Sequence, residues 1–150
     1  MSDLRSTDQR KVDALAALSK NGDAWLATAG RSGRPHLIAA SAWWDGERIV
    51  IATTGASRTA RNLDETRVAR IAIGSPDDVI MIDVELLDSR PVGDSAAEVG
   101  SGFAAAVGWD PAEEDGDWKL FRLRPVRIQA YRGYGELQNR DVMRDARWVD

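Results

Sequence analysis

The strongest local feature of this 150-residue chain is Ile49–Leu63, IVIATTGASRTARNL, and within it the octapeptide Ala56–Leu63. A β-branched run ends in Thr53 and Thr54, Gly55 turns the chain, and Ser57 is a good N-cap for a following helix. A helix N-terminus offers unpaired N–H groups and a partial positive charge, which together attract an anion. Arg58 and Arg61 add charge-assisted donors, and Thr53, Thr54 and Thr59 add hydroxyls. Three or four charge-assisted bonds at roughly 1.5–3 kcal/mol each would anchor one phosphate. Taken alone, the same residues describe equally well a capped surface helix with solvated arginines.

Other chemistries find less support. The chain has no cysteine, which excludes disulfides, thiolate metal sites and cysteine nucleophiles. Its single histidine, His36, rules out a two-histidine metal site and has no serine or carboxylate at a spacing that suggests a triad. No metal is expected. Gly30 and Gly33 fall in a hairpin turn and Gly133 and Gly135 follow the last strand, so neither pair makes a dinucleotide fingerprint. Asp83 with Glu85, and Glu113 with Glu114, read as solvated carboxylates. Catalysis, if present, would come from a cofactor.

Composition narrows the class further. A net charge of −4 argues against a general nucleic-acid binder. No apolar run approaches the roughly 18 residues needed to span a bilayer, and the opening MSDLRSTDQRK lacks the apolar stretch of a signal peptide. A cytoplasmic protein without membrane or nucleic-acid partners is expected. Of the 20 basic residues 17 are arginine, and Lys11, Lys20 and Lys119 are the only lysines, so an arginine counts as evidence only where its neighbours also fit.

The elements that must position these residues follow from patterning. Residues 7–20 read as a helix with Val12, Leu15 and Leu18 at helical spacing, Ser6 or Thr7 as N-cap and Asn21-Gly22 as the stop. Strands are expected at 23–29, 35–44, 47–54, 68–74, 79–88 and 118–134, with a hairpin at Asp45-Gly46 and a bend or bulge near Pro125. Helices are expected at about 58–65 and 95–107, then an acidic loop at 108–117, and a short helix or tail from Leu137 to the end. Six strands joined mostly by short turns favour a mostly β fold, an antiparallel meander or Greek-key barrel, over a parallel sheet. Trp43 and Trp44, adjacent on one strand, must face opposite sides of the sheet, one filling the barrel and the other free for the surface or an interface.

Strand–TT–G-x-S-R-x-x-R-N-L resembles the phosphate-binding corner of the pyridoxamine-phosphate-oxidase-like family. The resemblance extends over LATAGRSGRPHLIAASAWWDG, RVARIAIG, GWDP and MRDARW, which are similar to an actinobacterial branch of the group. It implies a split antiparallel six-stranded β-barrel with flanking helices, a single domain over residues 1–150, and FMN or the deazaflavin coenzyme F-420 bound between two subunits of a homodimer. Ser57, Arg58 and Thr59 match the family's phosphate-binding S-R-K triplet, with Arg61 and Asn62 behind it and Thr53 and Thr54 at the strand end. His36, Leu37, Ile38 and Ala39 match the strand whose backbone lies along the ring. Trp109 and Trp148 are candidate walls of a substrate pocket. The implied activity is hydride transfer between the cofactor and a small conjugated substrate; a non-catalytic cofactor carrier is the alternative. Thr59 stands where the family has lysine, which removes a full positive charge, and the residues leave FMN and deazaflavin both open.

Overall fold

All nine strands join one antiparallel sheet in the computed structural model, which describes residues 4–94 and 97–150. The chain runs α1 (Thr7–Leu18), β1 (Asp23–Ala29), β2 (Pro35–Ser41), β3 (Trp43–Trp44), β4 (Ile49–Thr54), α2 (Arg58–Thr66), β5 (Val68–Ser75), β6 (Asp78–Pro91), α3 (Ala97–Val107), β7 (Trp118–Tyr131), β8 (Asp141–Arg144) and β9 (Arg147–Trp148). In space the order is β2-β1-β5-β6-β7-β4-β3, with β8 on β7 and β9 on β8. Only Ala42 separates β2 from β3, yet these two lie at opposite ends of that order. The chain therefore crosses from one sheet edge to the other at Ala42 and curls the sheet into a split barrel. β3 pairs with β4 at Trp43 and Trp44, whereas β2 and β4 do not pair, and this is the split. The mostly β class, the six barrel strands and the Greek-key order are as expected, with β2 and β3 together serving as one broken strand. Among the described residues no helix is long and apolar enough to cross a membrane.

Alternation along the strands decides what is buried. Leu26, Ile49, Ile51, Ile71, Ile82, Val84, Phe121, Leu123 and Ile128 fill the barrel. Each such side chain contributes about 1.5–3 kcal/mol on leaving water. Helix α2 adds Ala60 and Leu63 to this core, and α1 adds Ala14 and Leu18. On the other face of β4 and β7, Val50 and Leu120 meet Phe103 of α3 in a second, smaller cluster. Trp44 packs against the barrel core, whereas Trp43 lies against Gly102 of α3. The two tryptophans do face opposite ways, and the chain's own helix α3 packs on Trp43, which is half-buried. The exposed tryptophan is Trp25, 53% accessible, beside Leu37 at 62% and Val68 at 52%.

Two local expectations are corrected. The buried stripe of α1 is Arg10, Ala14 and Leu18, while Val12 is exposed. Residues 141–148 form the hairpin β8–β9 rather than a helix or tail, because Asp145 (φ 53°) and Ala146 (φ 62°) both adopt the left-handed conformation of a tight two-residue turn. Trp148 ends this hairpin against the core under α1, with Lys11 Nζ 4.9 Å from its ring centre. The bulge expected near Pro125 is present: Asp83 pairs with Arg127 and Val84 with Pro125, leaving Val126 as the extra residue. Of the expected helix 95–107, Ser95 and Ala96 lie outside the described residues.

The N-terminus is held by charge. Arg5 donates to Glu136 at 2.6 Å and to Asp13 at 2.9 Å, and the buried Arg10 donates to the carbonyls of Glu136 (3.2 Å) and Asn139 (3.1 Å). The Arg5 guanidinium, with the backbone N–H groups of Arg5 and Arg132, holds the Glu136 carboxyl down to about 2 against the opposing effect of burial. Arg5 is raised in turn above the ordinary arginine value, chiefly by the same hydrogen bond.

Candidate functional site

Where β4 ends, Thr53 continues the barrel-facing row of Ile49 and Ile51, while Thr54 continues the row facing α3. The chain then turns through Gly55 and enters α2. Ser57 is the N-cap: its Oγ accepts from Ala60 N at 3.0 Å and from Thr53 Oγ1 at 2.9 Å. With both acceptor positions used, the Ser57 hydroxyl proton remains to donate outward. The amides of Arg58 and Thr59 have no carbonyl partner within the helix. The corner is clamped to β7 by Gly55 N donating to Asp117 O at 2.7 Å. Gly55 lets the side chains of Asp117 and Lys119 lie close over the turn, since a β-carbon there would stand 2.7 Å from Asp117 Oδ2 and 3.2 Å from Lys119 Cε.

A cleft of about 660 Å³ opens beside this corner, between α2 and the β1–β2 turn. Arg58, Asn62 and Glu65 of α2 form one wall; Arg31, Arg34 and His36 form the other. The turn is docked onto the helix through Arg31 N, which donates to Glu65 Oε2 at 3.0 Å. Gly30 permits this docking: a β-carbon would lie 2.7 Å from Glu65 Oε2 and 2.9 Å from Asn62 Oδ1. Beneath it, the buried Asn62 donates from Nδ2 to Thr28 Oγ1 at 3.1 Å, tying α2 to β1. Of the 17 arginines, only Arg31, Arg34, Arg58, Arg90 and Arg147 have side chains with neither hydrogen bond nor ion pair among the described residues. Three of these five line the one cleft, so unpaired positive charge is concentrated there. This is the donor set that a phosphate needs.

The candidate residues separate into groups. Thr53, Ser57 and Arg58 come together at the corner, and His36 and Asn62 share the cleft with Arg58. Arg61 is exposed on the next turn and donates back to Ala56 O at 3.0 Å. Thr59 is 1% exposed, so its hydroxyl does not stand on the open face of the helix. Thr54 faces away from the barrel, opposite Trp118 in the β4–β7 register. Along β2 the faces alternate: Ile38 packs on the core, and Leu37 and Ala39 lie on the outer face opposite Ala27 and Trp25. As β2 ends the sheet order, one edge of its backbone is unpaired. Arg31 and Arg34 were missed in the sequence; the G-R-S-G-R turn was legible, but its docking on α2 was not. Trp109 donates from Nε1 to Ser41 Oγ at 3.2 Å and stacks edge-on with Phe103 and Trp118. Trp148 is a core residue of the terminal hairpin, not part of this wall.

The pyridoxamine 5'-phosphate oxidase family model matches residues 12–132. This chain belongs to that family. No curated protein matches it in sequence. Among solved structures it is similar to an F420 reductase (20% identity, TM-score 0.59, covering 75% of this chain and 93% of that one). It is also similar to a pyridoxamine 5'-phosphate oxidase-related, FMN-binding protein from Nostoc punctiforme (15% identity, TM-score 0.56, 87% of each chain). A third is the haem storage protein HutZ from Vibrio cholerae (20% identity, TM-score 0.60, 80% of this chain and 93% of that one). At these identities the similarity establishes the shared split barrel; the proteins that share it differ in what they hold.

Proposed function

We propose that this protein binds a flavin-type cofactor, FMN or deazaflavin, by its phosphate end at the Thr53–Asn62 corner, and transfers a hydride between that cofactor and a small conjugated substrate. The observation that carries this reading is the set of free donors at one place: the Arg58 side chain without a partner, the Ser57 hydroxyl proton, and the start of α2, beside a cleft that also holds Arg31 and Arg34. An arginine left unpaired in a cleft, in a chain whose net charge is −4, fits an anionic ligand better than it fits folding.

The roles of the chain's residues follow. Ser57, Arg58 and the first-turn amides hold the phosphate, while Asn62 and Glu65 fix helix and turn so that the cleft keeps its width. The unpaired edge of β2 offers backbone N–H and C=O groups along the split, where a flat ring would be oriented by hydrogen bonds without a side-chain acid or base. Such a cofactor, when bound, supplies the hydride chemistry, and the protein supplies orientation and exclusion of water. The outer face bearing Trp25, Leu37 and Val68 suits a second copy of the chain, and we place the complete site at that homodimer interface in a cytoplasmic protein.

A carrier that binds cofactor without turnover is the second reading, and the inward-facing Thr59 in place of lysine favours it. The test is to titrate FMN and deazaflavin side by side by fluorescence, then assay the reduced complexes against a panel of conjugated acceptors. Micromolar binding (about −8 kcal/mol) with turnover is expected for the enzyme. Tight binding with no hydride transfer to any acceptor would leave the carrier, and no binding of either cofactor would remove both.

A further inference from the structure

Granting the phosphate site proposed for this corner, we infer that Lys119 supplies its ammonium cation, reaching the phosphate from β7 rather than from α2. Thr53 and Lys119 are direct partners in the β4–β7 register, so their side chains rise from the same face of the sheet. Thr53 Oγ1 reaches Ser57 Oγ at 2.9 Å, which identifies that face as the one beneath the first turn of α2. The stem of Lys119 crosses Gly55, where its Cε would stand 3.2 Å from a β-carbon. Gly55 thus leaves room for the lysine to lie over the turn. Lys119 is half-buried and makes neither hydrogen bond nor ion pair among the described residues. Asp117, whose carboxylate lies over the same glycine, does not form an ion pair with it.

The other lysines are differently placed: Lys11 lies over the Trp148 ring, and Lys20 lines a separate cavity beneath α1. Counting Lys119, Arg58 and Arg61 against Asp117, the corner carries an excess of positive charge for a dianionic group. The position aligned with the family lysine, Thr59, is 1% exposed, and a lysine there would have to bury its ammonium or displace core packing. A compact, rotatable ammonium suits one oxygen of a tetrahedral phosphate and needs no planar fork. The charge missing from α2 is therefore replaced from the neighbouring strand, and the ligand class is a phosphate ester.

With only three lysines, acetylation footprinting read by mass spectrometry resolves each one. Saturating FMN, or millimolar inorganic phosphate in its absence, should slow acetylation of Lys119 several-fold and leave Lys11 and Lys20 unchanged. Lys119→Gln should raise the FMN Kd about tenfold or more, which is about 1.4 kcal/mol. Riboflavin, which lacks the phosphate, should bind the variant as it binds the wild type. Lys119→Arg should retain most of the FMN affinity, and Thr59→Lys should not rescue Lys119→Gln. Lys119 that stays fully reactive under both FMN and phosphate overturns the inference, as does a Lys119→Gln variant that loses riboflavin and FMN equally. If Lys119→Gln is silent while Arg58→Ala weakens FMN, only the role of Lys119 falls. If both variants are silent, the phosphate reading of the corner falls as well.

Discussion

Charge is handled in opposite ways by the N-terminal latch and the α2 corner. In the latch, Arg5, Asp13 and Glu136 satisfy one another and Arg10 is spent on backbone carbonyls, all within the chain. At the corner, the side chains of Arg31, Arg34 and Arg58 stand without partners around an open cleft, and Lys119 stands without one beside Gly55. Charges satisfied internally report on stability, whereas the unsatisfied charges gathered in one cleft are what the proposed phosphate site rests on. The contrast also shows why counting arginines in the sequence is uninformative: both regions are basic, and only their partners tell them apart.

This contrast can be broken by mutation. The largest effect is expected in the latch: Arg5→Ala takes the guanidinium from the buried Glu136 carboxylate and leaves it only Arg10 Nε at 3.9 Å and the backbone N–H groups of residues 5 and 132, a loss of up to about 3–5 kcal/mol. Chemical denaturation should show that loss, while the affinity for FMN stays within twofold of wild type. An acid titration makes the same point. Glu136 titrates at about 2 in the fold against an ordinary 4.5, so its contribution is complete above pH 4.5 and is lost as pH falls toward 2. That difference corresponds to about 3 kcal/mol, and Glu136→Gln should flatten the stability curve across this window.

Smaller effects, on binding instead of folding, are expected at the corner. Arg58→Ala should weaken cofactor binding about tenfold or more and leave the Tm of the cofactor-free protein almost unchanged. A variant that unfolds the protein without altering affinity would make the corner structural. The smallest change is expected for Arg31→Ala with Arg34→Ala: an approximately threefold loss for FMN and a reduced dependence of Kd on salt, as exposed charges act at longer range. No change in the salt dependence would mean that the cleft arginines are merely solvated.

Much of the frame was legible in the sequence because it rests on local rules. Alternation marked the barrel strands, Ser57 marked the start of α2, and Pro125 marked the bulge that appears at Val126. What could not be read depends on distant partners. Arg10 looks like a surface residue of α1 until the carbonyls of Glu136 and Asn139 approach it. The hairpin β8–β9 turns on Asp145-Ala146, which lacks the glycine that usually advertises such a turn. Trp43 was legible as facing away from Trp44, but not as covered by α3. In the site, Ser57 and Arg58 were local in sequence, whereas Arg31 and Arg34 join them only through the docking of the β1–β2 turn on α2, and Lys119 comes beside Thr53 only through the β4–β7 register.

The central claim is that the corner recognises a phosphate. Fluorescence titration of the wild-type protein with FMN and riboflavin in parallel tests it most directly, because the two share a ring and differ only in that group. Micromolar binding of FMN is expected, with riboflavin binding weaker by about tenfold or more, a gap of about 1.4 kcal/mol. Equal affinities for the two would contradict it.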